Sequence, residues 1–445
     1  MSEVIVIGGG LAGLAATAAL AGAGHHVRLL EARPFLGGRA TSYAVGSGAD
    51  SETIDNCQHI LLRCCVNLLD FYKRLGVENE IEFHREFVFL EPGGRASVLR
   101  AGVFPAPLHF TGAFAGLRFL NLGEKVAVAR AIRAIGRDAK RTDLDSFTMQ
   151  AWLEKQGQPK RAIERFWRQV LVSAINEELD RMSAVHGFQV FRLGFLARAD
   201  SYQMGVPAVP LGQLYRSEAW ERLGNVEIRT RAAVDRIHVA GRTVTGVSVA
   251  GETLHADAYV LAVPFERVMP LAPELKLDFS KFDHSPITGI HLWFDRPVTN
   301  LPHATLLDRT IQWMFNKSEG RYVQLVVSAS RSMVEMPRQD VIDLAMRELA
   351  EFFPIVREAK LEKAHVVKEI RATFSAKPGL EKLRPAGQTT IQNLVLAGDW
   401  TRSGWPATME GAVRSGYAAA QAITSGDGVI EDVPAGFIAR TLGLK

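Results

Sequence analysis

At 445 residues, 47% hydrophobic and 22% charged, the chain has a folded composition, which excludes disorder and fibrous repeats, and a length that suits two interleaved domains better than one core. A formal net charge of +4 with no Lys/Arg tract interleaved by aromatics excludes nucleic acid as an expected partner. Cys57, Cys64 and Cys65 are the three cysteines; they follow neither a disulfide nor a metal-ligand spacing, so no metal is expected and a reducing cytoplasm fits.

The first predicted element is a strand, Val4-Ile5-Val6-Ile7, a β-branched run of the kind buried on both faces of a parallel sheet. Gly8-Gly9-Gly10-Leu11-Ala12-Gly13 follows at once and opens an Ala-rich helix running through Leu20. Gly8 permits the tight turn, Gly10 lets backbone approach a pyrophosphate, and Gly13 lets helix pack on strand, while Leu11 and Ala12 bring the helix N-terminus to the phosphates. No export signal is expected here, because the charged leading region is missing and glycines interrupt the apolar run. Nor is any uncharged stretch apolar enough over about 20 residues to cross a bilayer as a helix.

A second strand, His26-Val27-Arg28-Leu29-Leu30, ends in Glu31, eighteen positions after Gly13, where an acid accepts hydrogen bonds from ribose hydroxyls. The continuation Glu31-Ala32-Arg33-Pro34-Phe35-Leu36-Gly37-Gly38-Arg39-Ala40-Thr41 resembles the flavin amine oxidase and carotenoid desaturase superfamily. The resemblance implies FAD rather than NAD, with Glu31, Ala32, Gly38 and Arg39 lining the site and Arg39 serving as a cation near the pyrophosphate.

Further along, 226–249 reads as short strands split at Ala240-Gly241-Arg242, and Ala258 to Val263 as a buried strand stopped by Pro264. The same resemblance places the Val234 backbone near the adenine. Asn393-Leu394-Val395-Leu396-Ala397-Gly398-Asp399 gives another buried strand with an acid at its end, and Pro406-Ala407-Thr408-Met409-Glu410-Gly411-Ala412 opens a helix. In the superfamily Gly398 and Asp399 would hold the ribityl or phosphate portion, and the helix N-terminus at Thr408 and Met409 would turn its dipole toward the flavin N1/O2 edge.

The fold class expected is α/β: a Rossmann-type FAD-binding domain of the glutathione-reductase-like, amine oxidase subtype, with an interleaved α+β substrate domain. The cofactor domain is assigned to 1–64, 206–269 and 386–445. The substrate domain is assigned to 65–205, where helical patterns dominate, and 270–385, where strands do. Asp55-Asn56-Cys57-Gln58-His59-Ile60-Leu61-Leu62 resembles the Asp-Asn-Gly-Gln-His segment of squalene-associated FAD-dependent desaturases, regarded as hydroxysqualene dehydroxylases, with Cys57 in place of the usual glycine. Pro105 to His109, Phe166-Trp167 with Ala174-Ile175-Asn176, and Gly205-Val206-Pro207 leading to Pro210-Leu211 match the same family in order.

That resemblance implies reductive removal of an allylic hydroxyl from a polyprenyl substrate, hydroxysqualene to squalene, with Asp55 and His59 as the acid candidates. No second GxGxxG is present, so an external electron donor or reductase is expected as partner. Carotenoid or prenoid desaturation and amine oxidation are the alternative activities, and a non-catalytic prenyl-lipid carrier is the alternative class. The stretch between Arg100 and Arg118 holds no formal charge but carries Phe104, Leu108, Phe110, Phe114 and Leu117. It suits a tunnel wall or a peripheral contact at the inner face of a membrane. Arg130, Arg133, Arg137 and Arg141 then share one helical face, opposite Val128, Ile132, Ile135 and Ala139. The sequence leaves the oligomeric state open.

Overall fold

The computed structural model describes residues 2–46, 51–424, 426 and 428–441. Positions 1, 47–50, 425, 427 and 442–445, all within the expected cofactor domain, lie outside them. The runs read as buried strands assemble into a five-stranded parallel sheet in the order Val226–Arg229, His26–Leu30, Glu3–Ile7, Ala258–Leu261, Leu394–Leu396. Glu3–Ile7, Ala258–Leu261 and Leu394–Leu396 are apolar nearly throughout because helices or core side chains cover both faces, whereas the edge strand Val226–Arg229 alternates apolar and charged residues.

Helix Leu11–Gly22 is apolar nearly all round, since it lies between this sheet and helix Met409–Thr424. Gly416 permits that crossing: a Cβ there would stand 2.2 Å from the Ala12 carbonyl oxygen. The residues after Arg229 form a separate antiparallel meander, Val234–Ala240, Thr243–Val249 and Glu252–Leu254, turning at Gly241 with φ 62°.

The second large layer is a seven-stranded mixed sheet in the order Leu361–Phe374, His284–Phe294, Tyr322–Ser328, Trp313–Ser318, His303–Leu306, Glu86–Leu90, Ala96–Arg100. The last two strands come from the stretch expected to be mainly helical; the alternating burial of Ala96–Arg100 shows the period of two that places them in a sheet. Helix Arg338–Phe352 closes one face through Val341, Ala345 and Leu349 on Ile290, Leu292 and Leu325. The opposite face carries Phe87, Phe89, Trp313 and Phe315. Over it lie helical segments 160–175 and 184–196, each widened by a π-type stretch, Ile163–Trp167 and Val190–Leu196. The basic helix spans Leu122–Asp138, so Ala139 and Arg141 fall beyond its end, where Arg141 pairs with Asp143.

Candidate functional site

The glycine turn forms at the carboxyl edge of the parallel sheet. Gly8 has φ 109°, and a Cβ on it would meet the Ala262 carbonyl oxygen at 2.4 Å; one on Gly13 would meet the Gly8 carbonyl oxygen at 1.9 Å. Neither position admits another residue without parting helix from strand. At Gly10 a Cβ would meet nothing within 4 Å, so open space lies over the turn. Behind that space the helix has no side-chain cap and no acid in its first turn, leaving the N–H groups around Leu11, Ala12 and Gly13 directed outward.

Glu31 is buried and accepts hydrogen bonds from the Gly9 and Arg33 N–H groups, both at 2.6 Å. Ala32, next to it, is exposed. The Gly37 N–H donates to the Gly9 carbonyl at 2.8 Å, and Gly38 lies so close that a Cβ would be 3.0 Å from Gly10 Cα. Arg39 bridges to the C-terminal segment, with Nη2 2.7 Å from Asp399 Oδ2 and Nη1 donating to the Ala372 carbonyl at 2.8 Å. The Gly398 N–H donates to Ser415 Oγ at 2.8 Å, and Thr408 Oγ1 accepts from the Gly411 N–H at 3.1 Å just before Met409 starts its helix. Val234 is buried two residues after Ala232, whose N–H donates to the Glu31 carbonyl at 2.8 Å. Segments more than 350 positions apart are thus brought to one sheet edge.

Beyond Met409 opens an apolar tunnel between the helical roof and the seven-stranded sheet. Leu61, Leu68, Phe87, Phe89, Phe195 and Trp313 form much of its wall, and Thr408, Met409 and Glu410 lie on it as well. The space free of atoms along it, counting its open mouth, is about 1090 Å³. Glu410 carries no free charge into this space. Its carboxylate accepts hydrogen bonds from the Asn67 N–H, the Asn67 side chain and the Leu68 N–H at 3.2, 2.8 and 2.8 Å, and so caps helix Val66–Leu75.

Asp55 and His59 precede Ile60, Leu61 and Leu62, through which their segment joins the tunnel wall, but neither is itself in that wall, and their environments differ. Asp55 is buried and saturated: Oδ1 accepts from Ser42 Oγ at 2.7 Å and the Leu211 N–H at 2.9 Å, while Oδ2 is 3.2 Å from Lys317 Nζ. His59 Nδ1 lies 2.8 Å from the Cys57 carbonyl, so it carries the proton and leaves Nε2 as an acceptor. Burial lowers its pKa, partly opposed by that carbonyl and by Asp55, and the ring is neutral at pH 7. Burial pushes the Cys57 thiol up, and Cys57 Sγ packs at 3.8 Å from where a Gly289 Cβ would stand.

Sequence reasoning missed the groups that meet this segment from the seven-stranded sheet. Lys317 bridges Asp55 to Gln58 Oε1, the latter also at 3.2 Å. Glu369 accepts from Asn56 Nδ2 at 3.1 Å. Phe315, Gln324, His291 and His365 stand opposite one another across four neighbouring strands, hence on the face that carries Trp313. His291 and Gln324 are fully buried; the His291 Nδ1 is 2.7 Å from the Tyr322 hydroxyl, and burial pulls its pKa down to about 3. None of these residues has a local motif; only strand pairing assembles them.

A parallel nucleotide sheet, an interleaved mixed sheet and an apolar tunnel with Thr408 and Met409 of the nucleotide cradle in its wall define a two-domain flavoprotein oxidoreductase. Residues 11–424 match the family described as flavin containing amine oxidoreductase, and the chain belongs to that family. It is 30% identical over 463 residues to the 15-cis-phytoene desaturase of an Oncidium hybrid cultivar, covering 95% of this chain and 77% of the relative. It is 27% identical to a probable zeta-carotene desaturase of Synechococcus elongatus, covering 95% and 98%. Among solved structures, an oxidoreductase from Methanosarcina mazei superposes with TM-score 0.72 at 17% identity, covering 95% of this chain and 100% of that one. A cyclohexylamine oxidase from Brevibacterium oxydans gives 0.66 at 16%, covering 95% and 99%. The fold expected from the sequence is the one observed, and the protein is an FAD-dependent oxidoreductase of the amine oxidase and carotenoid desaturase superfamily.

Proposed function

We propose that the enzyme transfers hydride between FAD and an acyclic isoprenoid chain lying in the tunnel. The observation that carries this reading is that the apolar tunnel includes Thr408 and Met409 in its wall, so a threaded chain ends beside the cradle. FAD fits that cradle. Gly8, Gly10 and Gly13 give the pyrophosphate a close approach, Leu11 and Ala12 present N–H groups, and Arg39, held by Asp399, adds a cation. Glu31 and Ala32 would hold the ribose and Val234 the adenine, and Gly38, Gly398, Thr408 and Met409 would serve the flavin side. Bound FAD supplies the two-electron hydride acceptor or donor.

The names of the relatives support desaturation. One carbon of the chain loses hydride, its neighbour loses a proton, a C=C bond forms, and oxygen or a quinone takes the electron pair onward. His59, neutral with Nε2 open, is the base in this direction. The tunnel gives little support to an amine substrate, because its one carboxylate, Glu410, is already satisfied.

A second reading, reductive loss of an allylic hydroxyl as in hydroxysqualene, is favoured by the buried polar groups on the tunnel side of the sheet and by the 55–62 segment. A hydrocarbon needs no such groups, whereas an alcohol does. Here the Lys317 ammonium, positioned by Asp55 and Gln58, protonates the leaving oxygen, water departs, hydride adds to the carbon, and an external donor or reductase supplies the electrons.

Anaerobic single turnover tests both. Bleaching of the oxidised flavin by 15-cis-phytoene or a shorter polyene precursor supports desaturation; reoxidation of photoreduced enzyme by hydroxysqualene, with squalene formed, supports dehydroxylation. A flavin unmoved by either overturns the isoprenoid reading.

A further inference from the structure

Most polar side chains in the tunnel wall are spent within the protein. Thr408 and Glu410 cap helices. Ser173 Oγ accepts from Trp313 Nε1 at 2.6 Å and donates to the Gln169 carbonyl at 2.7 Å, and Gln189 Nε2 donates to the Gly404 carbonyl at 2.9 Å. Two others are not spent. Gln169 Oε1 and Thr305 Oγ1 belong to buried residues of the wall and have no hydrogen-bond partner among the described residues. An unpaired polar atom in apolar surroundings costs stability, so two of them on one cavity mark a place where a ligand supplies the partner.

The fold brings the two together. Thr305 stands opposite Trp313 on one neighbouring strand and Phe89 on the other, on the sheet face that floors the tunnel. Gln169 lies in the helical roof, one turn before Ser173, whose hydroxyl holds the Trp313 indole. Arg165, one turn before Gln169, donates through Nε to Asp308 at 2.8 Å, three residues past Thr305. Roof and floor are thus tied on both sides of the pair, which sets Gln169 over Thr305. Along the sheet the row Thr305, Trp313, Val326, Gly289 crosses three strand spacings, about 14 Å. At its far end Cys57 of the 55–62 segment packs at Gly289. The pair is therefore separate from the polar groups that meet that segment.

We propose that Gln169 and Thr305 form a hydroxyl-binding subsite, and that the isoprenoid taken by the enzyme carries a hydroxyl group at a distance from the bond that reacts. A hydroxyl donates one hydrogen bond and accepts another, so it complements a threonine hydroxyl and a glutamine amide whichever way the amide is turned. An ammonium is a poorer match, because the carboxylate in the wall, Glu410, is already satisfied and leaves its charge unbalanced. A plain hydrocarbon would bury both groups unpaired. The apolar wall alone cannot fix the register of a chain made of repeating units; an anchored oxygen fixes how far the chain reaches toward Met409, and so which bond is presented. The subsite rests on the isoprenoid reading above and narrows its substrate class.

The test is binding of two probes to the FAD-loaded full chain: geranylgeraniol and the hydrocarbon of the same skeleton without the hydroxyl, both dispersed in detergent. Trp313 and Trp405 lie in the tunnel wall, so quenching of tryptophan fluorescence reads occupancy. Wild type is expected to bind the alcohol about tenfold or more tighter than the hydrocarbon. Q169L/T305V should remove that preference by weakening the alcohol, with the hydrocarbon bound as tightly as before or more so. Both polar groups being unpaired in the empty protein, the Tm of this variant should equal or exceed that of wild type. Equal binding of the two probes by wild type overturns the subsite, leaves water as the partner of the pair, and lets the isoprenoid reading stand. An alcohol preference kept in Q169L/T305V overturns the subsite as well. Binding of neither probe rejects the isoprenoid reading, and the subsite with it.

Discussion

At Gly10 the backbone is in an ordinary extended conformation, φ −76° and ψ 174°, and no protein atom lies near a Cβ there. Alanine therefore costs the apoprotein almost nothing but intrudes on the cradle. Gly10→Ala is expected to keep the apoprotein Tm within a degree or so and to weaken FAD binding by about tenfold or more, ~1.4 kcal/mol, read by flavin fluorescence titration. Glu410 shows the converse, a residue beside the tunnel whose work is structural. Glu410→Gln keeps one acceptor oxygen where two are used and should lower stability by about 1–3 kcal/mol in denaturant unfolding. Loss of turnover with unchanged stability would instead make it a reaction partner. Asn176 and Glu177 are structural in the same way. Asn176 ends its helix at φ 59° and bonds the Ser285 carbonyl and Ala329 N–H, while fully buried Glu177 takes both Arg331 nitrogens at 2.7 Å.

Between elements, the decisive contact is the crossing of helices Leu11–Gly22 and Met409–Thr424, which sets the two helix N-termini relative to each other. Their backbones touch at Gly416, and backbone cannot swing aside as a side chain can. Gly416→Val should part the helices, with a stability loss of about 1–3 kcal/mol and weaker FAD retention on gel filtration. A variant that keeps both would show that the crossing has slack. The nucleotide half of the fold was legible in the sequence because its signals are local: strands buried on both faces, then glycines at fixed spacing. The strands Glu86–Leu90 and Ala96–Arg100 were not, since their short alternation sits within long helical patterns and is stabilised by pairing with His303–Leu306, more than two hundred positions away.

For the whole molecule, buried neutral histidines link stability to pH. Burial pulls His109 and His303 down to about 4 and His291 to about 3, from 6.5. The folded pKa values being depressed, the unfolded chain binds more protons between about pH 4 and 6.5, and stability falls as pH drops through that window. Tm should be flat above pH 7 and decline below about 6.5, before carboxylates titrate. Each histidine contributes up to about 1.4 kcal/mol per pH unit, so His109→Gln should flatten the decline; an unaltered slope would count against a buried neutral His109. FAD, which binds the folded form, should add about 2.7 kcal/mol at a hundredfold excess over Kd.

The sequence by itself determined the nucleotide fold, the cofactor and the order of the segments that approach it, because glycine geometry and strand burial act within a few residues of each other. It also placed Asp55 and His59 in the segment that borders the tunnel. Only the tertiary structure decided what those two groups do: Lys317, Ser42 and the Leu211 N–H saturate one carboxylate, and the Cys57 carbonyl fixes one ring tautomer. A period of two shows that alternate residues share a face, but which face meets the tunnel depends on strand pairing and layer stacking, and these are fixed by contacts hundreds of residues apart.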